Sequence, residues 1–478
     1  MLDRREFMLL AAAAAGAAAG CAGQGRTPEP QESYTPARPA VDVTFEPGET
    51  EIDLGGVSVR TWVYNGRLPG KEIRIRKGDR LRAPVTNKLP ADTSIHWHGL
   101  AIVNKMDGVP PLTQSPIPAG GDFTYDFVVP DGGTYWYHSH VGTQLDRGLY
   151  GPLIVEDPDE KADYDEELVL VLDDWIDGTG TNPDRVFEDL RRTGMKPMAP
   201  GGPGVSPTTP LGADGGDVTY PYFLVNGRVP ADPEVRDHRA GQRIRLRVIN
   251  AGSDTAFRIA VPNTTLNVIA TDGYPVMPAQ ATSVILGMGE RVDATFTVDS
   301  SVPVVAVPEG KQGHAQLNIR VADKPNTVNA DDFVAAVRKE APLDTATLSP
   351  TPEVTLPPRD PDQVIDATLS GPNPHYTWPF AGRLYDPTKD GIAVKRDQRV
   401  RMRMANESMM FHPIHLHGHT FQVVGRDAPR ARKDTVLVPP KQTVQVDFQT
   451  DNPGKWITHC HNTYHLEGGM AGWIFYQS

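Results

Sequence analysis

The sequence predicts an all-β protein built from three consecutive β-sandwich domains. Glycine and proline number 45 each among 478 residues, a density of turn formers that favours many short strands over long helices. Apolar and polar residues alternate with the period of two that turns one face of a strand toward a core. One rhythm also recurs three times: a turn, an arginine-rich alternating strand, then an asparagine, over residues 77–87, 241–250 and 396–406. Repetition at domain spacing marks related units, and a chain of this length exceeds one ordinary core.

Residues 1–21 read as processing information rather than fold. Arg4-Arg5 before the apolar run 8–19 resembles a twin-arginine export signal, which predicts a periplasmic or other extracytoplasmic setting. Ala18-Ala19-Gly20-Cys21 resembles a lipobox that would make Cys21 a lipid anchor; the alternative is an ordinary cleaved signal. The apolar run is short for a membrane span. Residues 22–40, rich in Pro, Gly, Gln, Glu and Thr, read as a flexible tether.

The first sandwich is expected over 41–160, with strands at 57–63 and 71–76. The second, over 161–322, opens with the apolar run 167–172 and carries an insertion, 178–217, with a short helix near 184–192. Its strand pattern resumes at 223–227 and 242–250. A connector, 323–362, holds a helical candidate at 331–340, and the third sandwich, 363–478, includes the strand 399–404.

The net charge of −13 and the lack of a long basic stretch argue against nucleic acid as a partner and favour small cations. The two cysteines, Cys21 and Cys460, fall in the export signal and in a histidine cluster, so no disulfide is expected.

Four histidine motifs carry the chemistry. The first block contains His96-Trp97-His98-Gly99 and His138-Ser139-His140. The third contains His412-Pro413-Ile414-His415-Leu416-His417-Gly418, then His459-Cys460-His461, His465 and Met470. A thiolate with two imidazoles and a distant thioether is the ligand set of a blue-copper site. In an extended segment His459 and His461 face one way and Cys460 the other, so one stretch of backbone could join two metal sites. Ten of the fourteen histidines lie in these motifs; burying so many imidazoles without a common partner would be costly. If the motifs in 96–140 and 412–461 serve one cluster, the first and last domains should clasp it between them.

In order and spacing the four motifs resemble those of the multicopper oxidases, the family of laccases and copper-resistance oxidases, over residues 41–478. The resemblance implies cupredoxin-like Greek-key sandwiches and four copper ions: one type 1, one type 2 and a type 3 pair. It also implies four-electron reduction of dioxygen to water. Matched motif by motif, the type 1 ion takes His412, Cys460, His465 and a weak axial Met470. The type 2 ion takes His96 and His415. The type 3 pair takes His98, His138 and His461 on one ion, and His140, His417 and His459 on the other. Cys460 then passes electrons through its flanking ligands.

Asp107 stands where such oxidases carry an acid near the cluster, as proton relay or pKa tuner, the plain alternative being a turn residue. Tyr464-His465-Leu466-Glu467 resembles the copper-resistance branch, and whether Glu467 delivers protons stays open. Asp434, in Lys433-Asp434-Thr435-Val436, also recurs in the family as a structural hydrogen-bond partner. His238, His314, His375 and His419 match no ligand position.

For the reductant, Glu407, Met409 and Met410 just before His412, with Met195 and Met198 in the insertion, favour Cu(I), since thioethers suit a soft cation. Phenols or aromatic amines come second, and Fe(II) or Mn(II) third. Three-domain relatives are usually monomers, and a monomer is expected.

Overall fold

The computed structural model describes residues 40–161, 163–195, 208–212, 214–389 and 391–477. The export signal, Cys21, the tether as far as residue 39, and Met198 lie outside these residues.

Each third of the chain repeats one wiring. A leading strand pairs in parallel with the arginine-rich strand, which pairs antiparallel with a third strand. The trios are Ala40–Asp42, Arg80–Thr86 and Asp122–Val128; Glu166–Trp175, Gln242–Asn250 and Arg291–Val298; and Gln363–Leu369, Arg399–Asn406 and Thr443–Gln449. The alternation has a direct cause: Leu81, Ala83 and Val85, like Val400, Met402 and Met404, are buried. The intervening arginines reach carboxylates on the neighbouring strand, Arg80 to Asp126, Arg247 to Asp293 (2.9 Å) and Arg401 to Asp447 (2.7 Å), the cross-strand pairing expected of opposite charges.

The recurring asparagine is explained too. Asn87, Asn250 and Asn406 are buried, and each Nδ2 donates to two or three carbonyls across a turn. Each Oδ1 accepts the amide two residues on. Such a side chain substitutes for backbone partners that the turning chain lacks.

In the first sandwich a four-stranded sheet (Ile73–Arg76, Tyr150–Glu156, Gly133–His138, His96–His98) shares one core with the three-stranded sheet. The second has two six-stranded sheets and the third two five-stranded sheets. The three form one compact unit, and a buried apolar cluster runs unbroken from the second into the third.

Helices are few. Pro183–Thr193 and Ala330–Val337 start on the side chains of Asn182 and Asn329, which accept amides in the first turn. A third, Thr463–Glu467, was not expected from the alternation; Asn462 caps it by accepting from the amides of Tyr464 and His465. That cap turns the chain so that His465 comes back beside Cys460.

Candidate metal centres

Strand pairing sets the histidines in register. His96–His98 lies antiparallel to Gly133–His138, with His96 opposite His138. His412–Leu416 lies antiparallel to Lys455–Cys460, with Ile414 opposite Cys460 and His415 opposite His459. One side of Cys460 therefore meets His412 and His465, while His459 and His461 reach a histidine cage on the other.

On the thiol side, Cys460 Sγ lies 3.6 Å from His412 Nδ1 and 3.5 Å from His465 Nδ1, and the two nitrogens are 3.1 Å apart. All three residues are fully buried. Met470 is buried and pinned by its backbone, its amide donating to His465 O (2.9 Å) and its carbonyl accepting from Cys460 N (3.0 Å). The outward nitrogens are held as well, His412 Nε2 by Ser408 Oγ at 2.8 Å and His465 Nε2 by Asp217 Oδ2 at 3.0 Å. Trp378 packs on His465 with ring centres 4.0 Å apart. Burial, then His465, holds His412 well below the usual imidazole range. Burial would lower His465 as well, but Asp217 and the Cys460 sulfur lift it to about 10.

In the cage, outward nitrogens are again tied. His96 Nδ1 donates to Asp107 O (2.8 Å), His138 Nδ1 to Ser139 O (2.8 Å), His459 Nδ1 to Cys460 O (2.9 Å) and His415 Nδ1 to Asp434 O (2.9 Å). His417 Nδ1 meets both Asp107 carboxylate oxygens at 3.1–3.2 Å, and His98 Nε2 meets Asp434 Oδ1 at 3.1 Å. A neutral ring that donates outward leaves a bare lone pair inward. Those inward atoms are buried without partners at His96, His138 and His415 (Nε2), at His98 (Nδ1) and at both nitrogens of His461. The Nε2 atoms of His140 and His417 stand 3.3 and 3.0 Å from that of His459.

Burial first, then the other imidazoles, holds His138, His140, His417, His459 and His461 well below the usual range. Facing lone pairs on neutral rings repel one another and fit cations, so the donor set suits copper.

Donor atoms within 4.8 Å of one another group as His412, Cys460 and His465; His98, His138 and His461; His140, His417 and His459; and His96, His98 and His415. The structure thus brings together the histidines and the cysteine of the sets drawn from the motifs, and His98 additionally stands beside the His96–His415 pair.

Asp107 is buried at the foot of the cage, grouped with His96 and His417. Asp107 stands in a turn as well: Gly108 has φ +82°, and a Cβ there would stand 1.9 Å from Ile95 O. Glu467 ends the short helix and lines a cavity of about 20 Å³ with His138, His140, His459 and His461. Although the residue is open to solvent, lost hydration around the carboxyl and then Asp184 push it up to about 7.

Met409 is 65% exposed, but Met410 is core and not available to a reductant. Met195 packs against the core, and His419 is structural, between His417 O (3.1 Å) and Tyr476 OH (2.7 Å). Sequence reasoning missed Ser408, Asp217, Trp378 and Arg291. Asp217 comes from the far end of the insertion, 248 residues from the histidine it meets, and no spacing signal announces it.

Multicopper oxidase family profiles match residues 48–160, 166–307 and 357–477. The chain is 42% identical to "Multicopper oxidase MmcO" of Mycobacterium tuberculosis, over 97% of this chain and 93% of that protein. It is 28% identical to a copper resistance protein A homolog of Pseudomonas syringae pv. tomato, covering 88% and 90%. Among solved structures, the laccase from Botrytis aclada superposes with a TM-score of 0.72 at 27% identity, covering 91% of this chain and 87% of that one.

Proposed function

The chain belongs to the multicopper oxidase family, and from that premise we propose that it oxidises Cu(I) and reduces dioxygen to water through four bound copper ions. Copper held by these residues supplies one-electron chemistry at the thiol side and a binding place for dioxygen at the cage. His412, Cys460, His465 and Met470 form the electron entrance, and Cys460 joins it through one peptide bond on each side to His459 and His461. Asp107 and Glu467 serve the protons that oxygen reduction consumes.

The observation that carries the substrate choice is the loop Glu407-Ser408-Met409. It exposes a carboxylate and a thioether to solvent, while Ser408 Oγ bonds His412 Nε2 at 2.8 Å. A soft cation caught at Met409 therefore sits one hydrogen-bonded residue from the entrance. The similarity to a copper resistance protein A homolog supports the same reading.

A second reading, oxidation of phenols or aromatic amines, draws on the similarity to the laccase from Botrytis aclada. Fe(II) or Mn(II) ranks third, because the loop offers such hard ions a single carboxylate.

Oxygen uptake measured with Cu(I), a phenol and Fe(II) decides between them. Met409→Leu should raise KM for Cu(I) about tenfold, the equivalent of one ~1.4 kcal/mol contact, and leave phenol oxidation unchanged. Cu(I) turnover below that of the phenol at every concentration would remove the first reading.

A further inference from the structure

We propose that Arg291 and Asp434 act as a positioning pair, through which the second sandwich, source of none of the candidate ligands, sets the aim of His98 and His415. The inference rests on copper binding at the cage. One carboxylate serves three residues: Asp434 Oδ1 accepts from His98 Nε2 (3.1 Å), Arg291 Nη1 (2.7 Å) and Thr435 Oγ1 (2.9 Å), and Oδ2 accepts from Arg291 Nη2 (2.7 Å). The carbonyl of the same residue accepts from His415 Nδ1 at 2.9 Å. The two imidazoles it governs come from different domains and stack with centres 3.9 Å apart at 13°.

Arg291 is fully buried and joins all three sandwiches. Its Nε donates to Thr134 O of the first (3.0 Å), its own strand lies in the second, and its fork grips Asp434 of the third. Asp272, also from the second sandwich, accepts from the amides of Asp434 and Thr435 at 3.3 and 3.2 Å.

The packing leaves no slack. A Cβ on Gly99, next to His98, would stand 2.5 Å from Arg291 Nη2 and 2.7 Å from Asp434 Oδ2. A Cβ on Gly289 would stand 2.8 Å from His461 Cδ2 and 3.0 Å from His98 Cε1. The turn before Arg291 is thus a wall of the cage.

A bidentate arginine–carboxylate pair fixes orientation as well as charge. That matters most at His98, whose Nδ1 rather than Nε2 is the unpartnered inward atom. When the Asp434 acceptor is weakened, only the poorer Thr435 Oγ1, at 3.2 Å, holds Nε2, the tautomer that carries its proton on Nδ1 becomes more accessible, and in it the inward lone pair is lost.

The test uses the full chain reconstituted with copper, read by bound-copper count and by paramagnetic resonance, with the blue absorption of the Cys460 site as internal reference. Arg291→Met and Asp434→Asn should weaken copper binding at the cage positions that use His98 and His415 about 10–100-fold while the blue band persists. Arg291→Lys, which keeps the charge but not the fork, should recover only part. Gly289→Ala should disturb the cage signals in the same direction. Arg258→Gln, which breaks a buried pair with Glu309 in the same sandwich, should lower stability and leave both signals intact. Unchanged cage signals in Arg291→Met and Asp434→Asn overturn the proposal, as does a parallel loss of blue and cage signals. A wild-type chain that loads no copper at the cage overturns the oxidase reading, and this inference with it.

Discussion

Asp107 is held by geometry in a dual position: its carbonyl fixes His96 and its carboxylate fixes His417, two histidines from opposite ends of the chain. Positioning and proton delivery separate under substitution. Asp107→Asn keeps the shape and one acceptor oxygen but gives up the acid, so reoxidation of the reduced enzyme by dioxygen should slow about 10²-fold, the lower range for a lost acid–base group, with copper content and blue colour retained. Asp107→Ala also releases His417 and should lose copper. Stopped-flow reoxidation alongside copper analysis checks both, and reoxidation of the Asn variant at the wild-type rate would leave Asp107 a positioning role alone. The candidate ligand histidines could be picked out in the sequence because each His-X-His pair sits two apart, where alternation on a strand puts both rings on one face, while His412, three before His415, faces the other way. Asp217, Trp378 and Arg291 could not, because each reaches the site only through tertiary packing.

At the level of strands, the three echoed motifs turned out to mark one wiring, since the same arginine-rich strand stands between a parallel and an antiparallel neighbour each time. The echo was visible; the reason for its asparagine was not, because the carbonyls it bridges lie as far as 36 residues away. The helix Thr463–Glu467 escaped notice for a related reason: five residues are too few for a helical period, and its cap, Asn462, lies among metal-ligand signals. Junctions between sandwiches rest on ion pairs such as Glu167, which joins Arg74 (2.7 Å) to Arg247 (2.6 Å). Burial would raise the Glu167 carboxyl, but Arg247, Arg74 and Tyr164 outweigh it and lower it to about 2. A carboxyl depressed on folding contributes stability that is present above its unfolded value near 4.5 and lost as pH falls toward about 2, at most a few kcal/mol. Urea titrations of the copper-free chain should therefore show wild type more stable than Glu167→Gln at pH 5–6, with the gap closing by about pH 2. A gap independent of pH would show that the pair contributes through packing instead; comparing the two chains cancels the histidines that titrate in both.

For the whole molecule, the cage is a junction between the first and third sandwiches that the polypeptide alone leaves electrostatically unfavourable. The inward nitrogens of His140, His417 and His459 face one another at 3.0–3.3 Å, and those of His96, His98, His138, His415 and His461 are buried without hydrogen bonds. A cation turns this repulsion into attraction, so copper belongs to the stability of the assembled fold as well as to its chemistry. Ligand present at a thousand times its dissociation constant adds about 4 kcal/mol to a folded state that alone binds it. The gain should be local to the histidine strands, because the second sandwich contributes none of the candidate ligands. Stripping copper with a chelator should lower the melting temperature by several degrees and speed amide exchange at His96–His98, Gly133–His138 and Lys455–Cys460. Exchange at Gln242–Asn250 and Arg291–Val298 should hardly change beyond Arg291 itself. Uniform acceleration across all three sandwiches would mean that the metal stabilises the fold globally, and no change at the histidine strands would mean that the cage is held closed by protein contacts alone.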